Sequence, residues 1–200
     1  MNGLKKIKMG REAILQSIKK NKPDLLPVPQ IDENKFSEDI NLKEVFKNSI
    51  SLVGGTIKEI ESNAIDTEIK AIYLNAKRIV SVTEKSSLGT ISVTQKTDPH
   101  TLEDIDLAIV EGELGVSENG AIWATANNSI VRALPFITND LVIILNKEKI
   151  CLHMLNAYDI ISTRKRDFGV FISGPSKTAD IEQCLVVGAH GAMSLTVLLV

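Results

Sequence analysis

The stretch Gly169-Val170-Phe171-Ile172-Ser173-Gly174-Pro175-Ser176-Lys177-Thr178-Ala179-Asp180-Ile181-Glu182 decides how this chain is read. Its first four residues form a short apolar run with the look of a buried strand. Gly174-Pro175 then breaks the run, because glycine tolerates positive φ and proline fixes its own φ. Two hydroxyls, Ser176 and Thr178, and the carboxylate of Asp180 follow within five residues. A strand that ends in a tight turn with clustered hydroxyls commonly binds a polar ligand in an α/β protein. Ser176, Thr178 or Asp180 also has the chemistry to cap a following helix, and the residues alone leave both roles open. A second apolar run, Gln183 to Val187, comes next.

Working outward, the chain alternates between helical and strand patterns. Ile14, Leu15 and Ile18 fall at helical spacing within residues 9–20, and Leu42, Val45, Phe46 and Ile50 predict a second helix ended by Gly54-Gly55. Thr56 to Ile60 reads as a strand, Ala64 to Lys77 as a third helix, and Ile79 to Val82 as a strand. Asp106 to Val110, Gly115-Val116, Ala121 to Ala126, Val131 to Thr138 and Leu141 to Leu145 are β-prone. Leu152 to Arg164 reads as a helix. Ser194 to Val200 is apolar except for Ser194 and Thr196, the pattern of a central strand buried on both faces. The alternation argues for a mixed, mostly parallel sheet. Three prolines between Asn21 and Asn34 exclude regular helix there. The expected organisation is an N-terminal helix and extended arm over 1–34, with one α/β domain over 35–200; the arm lies on, or swaps to, a neighbouring surface, which allows a homo-oligomer.

Composition narrows the function classes. Two hundred residues are enough for one substantial core, and 24% charged against 44% hydrophobic residues is ordinary for a soluble globular protein. A net charge of −2 gives no basic excess for phosphate-backbone binding, so no nucleic-acid partner is expected. The basic cluster from Lys5 to Lys22 reads as a solvated helix face. No run is long and apolar enough for a membrane span, and the N-terminus lacks the apolar segment of a secretory signal. Cys151 and Cys184 are the only cysteines, too few for a disulfide framework or for an iron–sulfur cluster held by this chain alone. The expected setting is cytoplasmic. His100, His153 and His190 have no ligand-spaced partners, so no metal site is expected.

Three segments carry a resemblance: Ser117-Glu118-Asn119-Gly120-Ala121-Ile122, the Ser173–Glu182 loop, and Gly188-Ala189-His190-Gly191-Ala192. With Arg132, Leu134-Pro135 and the opening Met9-Gly10-Arg11-Glu12, they resemble the lactate utilization protein C family, or LUD domain, over nearly the whole chain. One departure is Ala192, where the family usually has proline. The resemblance implies a three-layer α/β fold like that of ribose-phosphate isomerases and CoA transferases. It also implies a subunit that supports oxidation of L-lactate to pyruvate beside separate partner subunits carrying the iron–sulfur clusters. This chain would supply no redox centre, only a pocket for a small carboxylate or phosphorylated ligand.

The pocket residues expected on that basis are Asn119, Gly120, Arg132, Ser173, Gly174, Ser176, Thr178, Asp180, His190 and Gly191. Arg132 suits an anion because a guanidinium forms two parallel bonds to a carboxylate. His190 lies within a glycine-bearing segment that lets the backbone approach a ligand. Ser117-Glu118-Asn119-Gly120 is similar to the motif of family I CoA transferases, in which the glutamate is a covalent nucleophile. Glu118 is therefore the candidate catalytic residue of an alternative reading, a stand-alone CoA-transferase or isomerase-like enzyme. A non-catalytic structural partner is the other alternative. Trp123 reads as a core aromatic, and Asp98-Pro99-His100 as a turn with a helix cap.

Overall fold

A computed structural model of the chain describes residues 10–27, 29, 31, 32, 35, 39–164, 167–179 and 185–200. The chain divides into two units, Met1–Asp39 and Ile40–Val200. Within the first, α1 spans Arg11–Lys20, with Lys19 and Lys20 in its last turn where cations suit the helix dipole. None of its residues is buried, and no helix or strand follows over residues 22–27.

The second unit is built around five parallel strands: β1 (Thr56–Glu59), β2 (Ile79–Ser81), β3 (Leu107–Gly112), β6 (Asp140–Leu145) and β11 (Ser194–Leu199), in the order β1-β11-β6-β3-β2. Strand periodicity sorts their side chains onto two faces. On one face Leu195, Val197 and Leu199 stand beside Leu141, Ile143 and Leu145, which in turn face Ala108, Val110 and Gly112. There they pack on Phe46 and Ile50 of α2 (Leu42–Leu52), on Ile122 and on Leu134. On the other face Leu107, Ile109, Val142, Ile144 and Leu198 pack on Ile65 and Ile69 of α3 (Ile65–Ile72). Each such fully buried aliphatic side chain is worth about 1.5–3 kcal/mol. The result is a three-layer α/β fold with β11 inside the sheet, as the unbroken apolar run requires.

A second sheet covers the α2 side. It comprises β4 (Leu114–Val116), β5 (Ala121–Thr125), β7 (Ile150–Cys151) and β8 (Gly169–Ile172) in the order β7-β4-β5-β8. Its pairings are antiparallel except β4 with β7. Gly112 permits the two sheets to meet, since a Cβ there would lie 2.4 Å from the Ile122 side chain. The outer face of this sheet packs against α6 (Met154–Ser162) through Leu114, Val116, Ala121 and Ala157.

Several local expectations change. Val131 to Thr138 is not a strand: Leu134–Ile137 is a short helix, α5, with Pro135 in its first turn, a position that lacks a helical acceptor anyway. It follows α4 (Ala126–Ser129) through a γ-turn at Ile130, where φ is 58° and the Val131 N–H bonds to the Ser129 carbonyl at 2.6 Å. The third helix ends at Ile72 rather than Lys77, because the Asp106 carboxylate takes the Lys77 and Arg78 N–H groups, both at 2.8 Å. No helix begins at Ser176: β9 (Lys177–Ala179) pairs antiparallel with β10 (Leu185–Val187). Asp180 and the residues up to Cys184 lie outside the described residues.

Candidate functional site

The Ser173–Ala179 segment leaves β8 and meets the turn before β11. The Ser176 N–H donates to the Ala192 carbonyl at 2.8 Å, and the Gly188 N–H donates to the Ser176 carbonyl at 3.1 Å. With both backbone groups of Ser176 engaged, the two segments are fixed side by side. Gly191 makes this approach possible, since a Cβ there would stand 3.0 Å from that of Ser176. Gly174 has φ 71° and lies against the Val53 carbonyl, which no other residue would tolerate. Lys177 turns its ammonium to the same Val53 carbonyl, at the end of α2.

These segments enclose a cavity of about 380 Å³. Ser173, Gly174, Ser176, Thr178, His190 and Gly191 all line it, and its apolar wall includes Pro135, Phe136, Leu141 and Leu195. The hydroxyls of Ser176 and Thr178 meet no hydrogen-bond partner among the described residues, and His190 is exposed. The cavity lies where β6 and β11 begin. The carboxyl ends of parallel strands, where α/β folds commonly bind ligands, carry ion pairs here. Lys43 and Lys47 bond to Glu59 at 2.8 and 2.9 Å and hold its carboxyl down at about 2. Thr83 and Lys85 engage Glu111.

The Ser117–Gly120 turn between β4 and β5 is constructed differently. Ser117 Oγ donates to the Leu42 carbonyl at 2.9 Å, and the Ser117 carbonyl accepts the buried Ser49 hydroxyl at 2.6 Å. The Ser117 and Glu118 N–H groups bond to the Cys151 and Leu152 carbonyls. Asn119 Oδ1 accepts the Ala121 N–H, and the Asn119 carbonyl accepts the Ser173 hydroxyl at 2.8 Å. Gly120 has φ 66° and lies on the backbone of Ile50. The turn thus joins α2, β7 and the β8–β9 loop. Glu118 itself points to the start of α6: its Oε2 accepts the Met154 N–H at 2.8 Å and stands 3.7 Å from His153 Nδ1. A carboxylate there satisfies an orphan donor and complements the helix dipole. Glu118, Asn119 and Gly120 are not part of the cavity lining. Burial pushes the nearby Cys151 thiol up, and the Glu118 charge adds to the effect.

Arg132 also stands apart from that lining. Its guanidinium pairs with Asp167 at 3.5 Å and lies 5.2 Å from the centroid of the Phe168 ring. Arg132 pairs with Asp167 while Pro135 lines the cavity, so one sequence motif serves two places. Sequence reasoning overlooked Phe136 and Lys177. An apolar residue in an apolar run and a lysine in a polar loop offer no signal of their own. Trp123, expected in the core, is half-buried in the wall of a separate cleft. Asp98 does cap a short 3₁₀ turn over Pro99–Leu102 by accepting the His100 N–H at 3.0 Å. Among the described residues, no helix is long and apolar enough to cross a membrane, and no group of three or more His, Cys, Asp or Glu is placed to hold a metal.

A model of the LUD domain matches residues 6–200. Among curated proteins, the lactate utilization protein C of an Exiguobacterium species is 25% identical over 191 residues, covering 86% of this chain and 83% of that protein. The lactate utilization protein C of Bacillus subtilis is 31% identical over 105 residues, which cover 49% of this chain and 43% of that one. A crystal structure of a DUF162 family protein from Deinococcus radiodurans superposes with a TM-score of 0.60 at 14% identity, over 85% of this chain and 99% of that one.

Proposed function

This chain belongs to the LUD domain family, and we propose that it serves lactate utilization as a non-redox subunit that binds a small carboxylate in the cavity between Ser173–Thr178 and His190–Ala192. One observation carries the reading. The Ser173–Thr178 and Gly188–Ala192 segments are locked together by the Ser176 backbone, and Ser176, Thr178 and His190, whose side chains meet no partner among the described residues, line a 380 Å³ cavity. Such a cavity falls in the range that holds a small ligand, and a few convergent polar groups on an apolar wall are its usual lining. Ser176 and Thr178 donate hydrogen bonds to the ligand carboxylate, and His190 supplies a donor at the open side. Pro135, Phe136 and Leu195 exclude water from the hydrocarbon part. The name shared by the curated relatives supports lactate or its oxidation product as the ligand class.

Oxidising lactate removes two electrons, and ordinary side chains do not act as a turnover redox centre. The electrons go to partner subunits that hold iron–sulfur clusters, and this chain presents or retains the acid. Glu118 acts in this reading as the cap of α6, not as a nucleophile. The test is lactate-dependent reduction of a dye acceptor. The purified chain alone gives none; activity appears with the iron–sulfur partners and falls about tenfold or more in Ser176→Ala/Thr178→Ala, the loss expected from two ligand hydrogen bonds. Lactate oxidation by the isolated chain without added cofactor would overturn the reading.

A further inference from the structure

A cleft of about 590 Å³ belongs to neither of the motifs described above. It lies between the end of β5, the start of α4, the end of α6 and the segment entering β8. Trp123 and Phe168, both half-buried, give it aromatic walls. Gly169 makes room for the indole: a Cβ at that position would fall 2.0 Å from the Trp123 ring. The Trp123 ring also packs against Phe171, with centroids 4.7 Å apart and planes tilted by 51°, which holds it in place.

The polar groups of this cleft are unevenly used. Each oxygen of Glu113 has a partner, one accepting the Thr125 hydroxyl at 2.7 Å and the other Arg164. Asp167 Oδ1 accepts the Phe168 N–H at 2.7 Å and faces Arg132. Both carboxylates thus have partners within the chain. Each guanidinium carries five N–H donors, yet among the described residues Arg164 and Arg132 each meet one carboxylate oxygen. Both arginines are well exposed. The Asn127 amide adds a further polar group to the lining. The cleft thus offers aromatic surface and, on Arg164, N–H donors beyond its one pairing with Glu113, whose complement is a ring bearing an anion.

We propose that this cleft is a second ligand site, taking a planar aromatic acid whose ring lies against Trp123 and Phe168 and whose carboxylate or phosphate engages Arg164. The site is independent of the carboxylate cavity near His190 and does not rest on that assignment.

The chain's only tryptophan lines the cleft, so its fluorescence reports occupancy directly. Titrating the full chain with 2-naphthoate, with calorimetry in parallel, gives saturable binding that changes Trp123 emission. Removing the charge-assisted contact in Arg164→Met weakens binding by about tenfold or more. Naphthalene-2-carboxamide, which has the ring without the charge, binds weaker by a similar factor. Ser162→Phe, at an exposed position of the lining, blocks binding while leaving the fold intact by circular dichroism, and keeps the test valid if Arg164→Met fails to fold. His190→Ala and an excess of L-lactate leave binding unchanged. No saturable response up to millimolar 2-naphthoate, equal affinity for the neutral amide, or undiminished binding in Ser162→Phe would overturn the proposal.

Discussion

Two glycine turns of this chain look alike in sequence and differ in what they do with their polar groups. In Ser117-Glu118-Asn119-Gly120 every residue is engaged: the serine with α2, the glutamate with α6, the asparagine with its own strand and with Ser173, the glycine against Ile50. In Ser173–Thr178, joined to Gly188–Ala192, the backbone of Ser176 is engaged while Ser176 and Thr178, whose hydroxyls meet no partner among the described residues, line an open cavity. Groups already satisfied inside a protein have little left to offer a ligand. The first turn is therefore read as a joint and the second as a site, although the first carries the more reactive residue type.

The comparison breaks most readily at its glycines. Gly120→Ala forces a side chain onto a backbone with φ 66° and places Cβ 2.9 Å from the Ile50 nitrogen. Strain and clash together should cost about 3 kcal/mol or more in urea unfolding. Gly191→Ala meets only the Ser176 side chain at 3.0 Å with no positive φ, so its stability loss should stay near 1 kcal/mol while ligand binding falls sharply. Equal destabilisation by the two substitutions would erase the distinction between joint and site.

Glu118 sharpens it further. Glu118→Gln removes the charge at the start of α6 and should lower stability by about 0.5–1 kcal/mol without changing carboxylate binding. Incubation of the native chain with an acyl-CoA followed by hydroxylamine should yield no glutamyl adduct by mass spectrometry. An adduct at Glu118 would favour the transferase alternative.

The smallest effect concerns Cys151. Burial raises its pKa, and the Glu118 carboxylate raises it further. In a Cys184→Ser background, the rate of iodoacetamide alkylation should rise with pH through a midpoint above that of an ordinary thiol, because only the thiolate reacts. Glu118→Gln should move that midpoint down. An unchanged midpoint would mean that the carboxylate does not face the thiol as described.

The central sheet was legible because its strands are nearly continuous apolar runs. Leu107–Val110, Leu141–Leu145 and Leu195–Leu199 have no other stable home than a sheet covered on both faces. Val131 to Thr138 misled because a short apolar run has no period that separates strand from helix, and only the proline at 135 hinted at the turn of α5. β9 gave no strand signal, since Lys177 and Thr178 belong to a polar stretch whose pairing depends on β10, the apolar run beyond it. Around the cavity, the resemblance pointed to Ser173–Thr178 and His190, which line it. It could not show that Glu118 and Arg132 face elsewhere, because the direction of a side chain is fixed by contacts made far along the chain.

The most direct test of the account is a calorimetric titration of L-lactate and pyruvate, with inorganic phosphate as a comparison anion, into the native chain and into Ser176→Ala/Thr178→Ala. The account predicts saturable binding of at least one of the two carboxylates by the native chain, weakened by about tenfold or more in a double variant whose unfolding midpoint is unchanged. Equal affinity in the two proteins, or binding of phosphate alone, would contradict it.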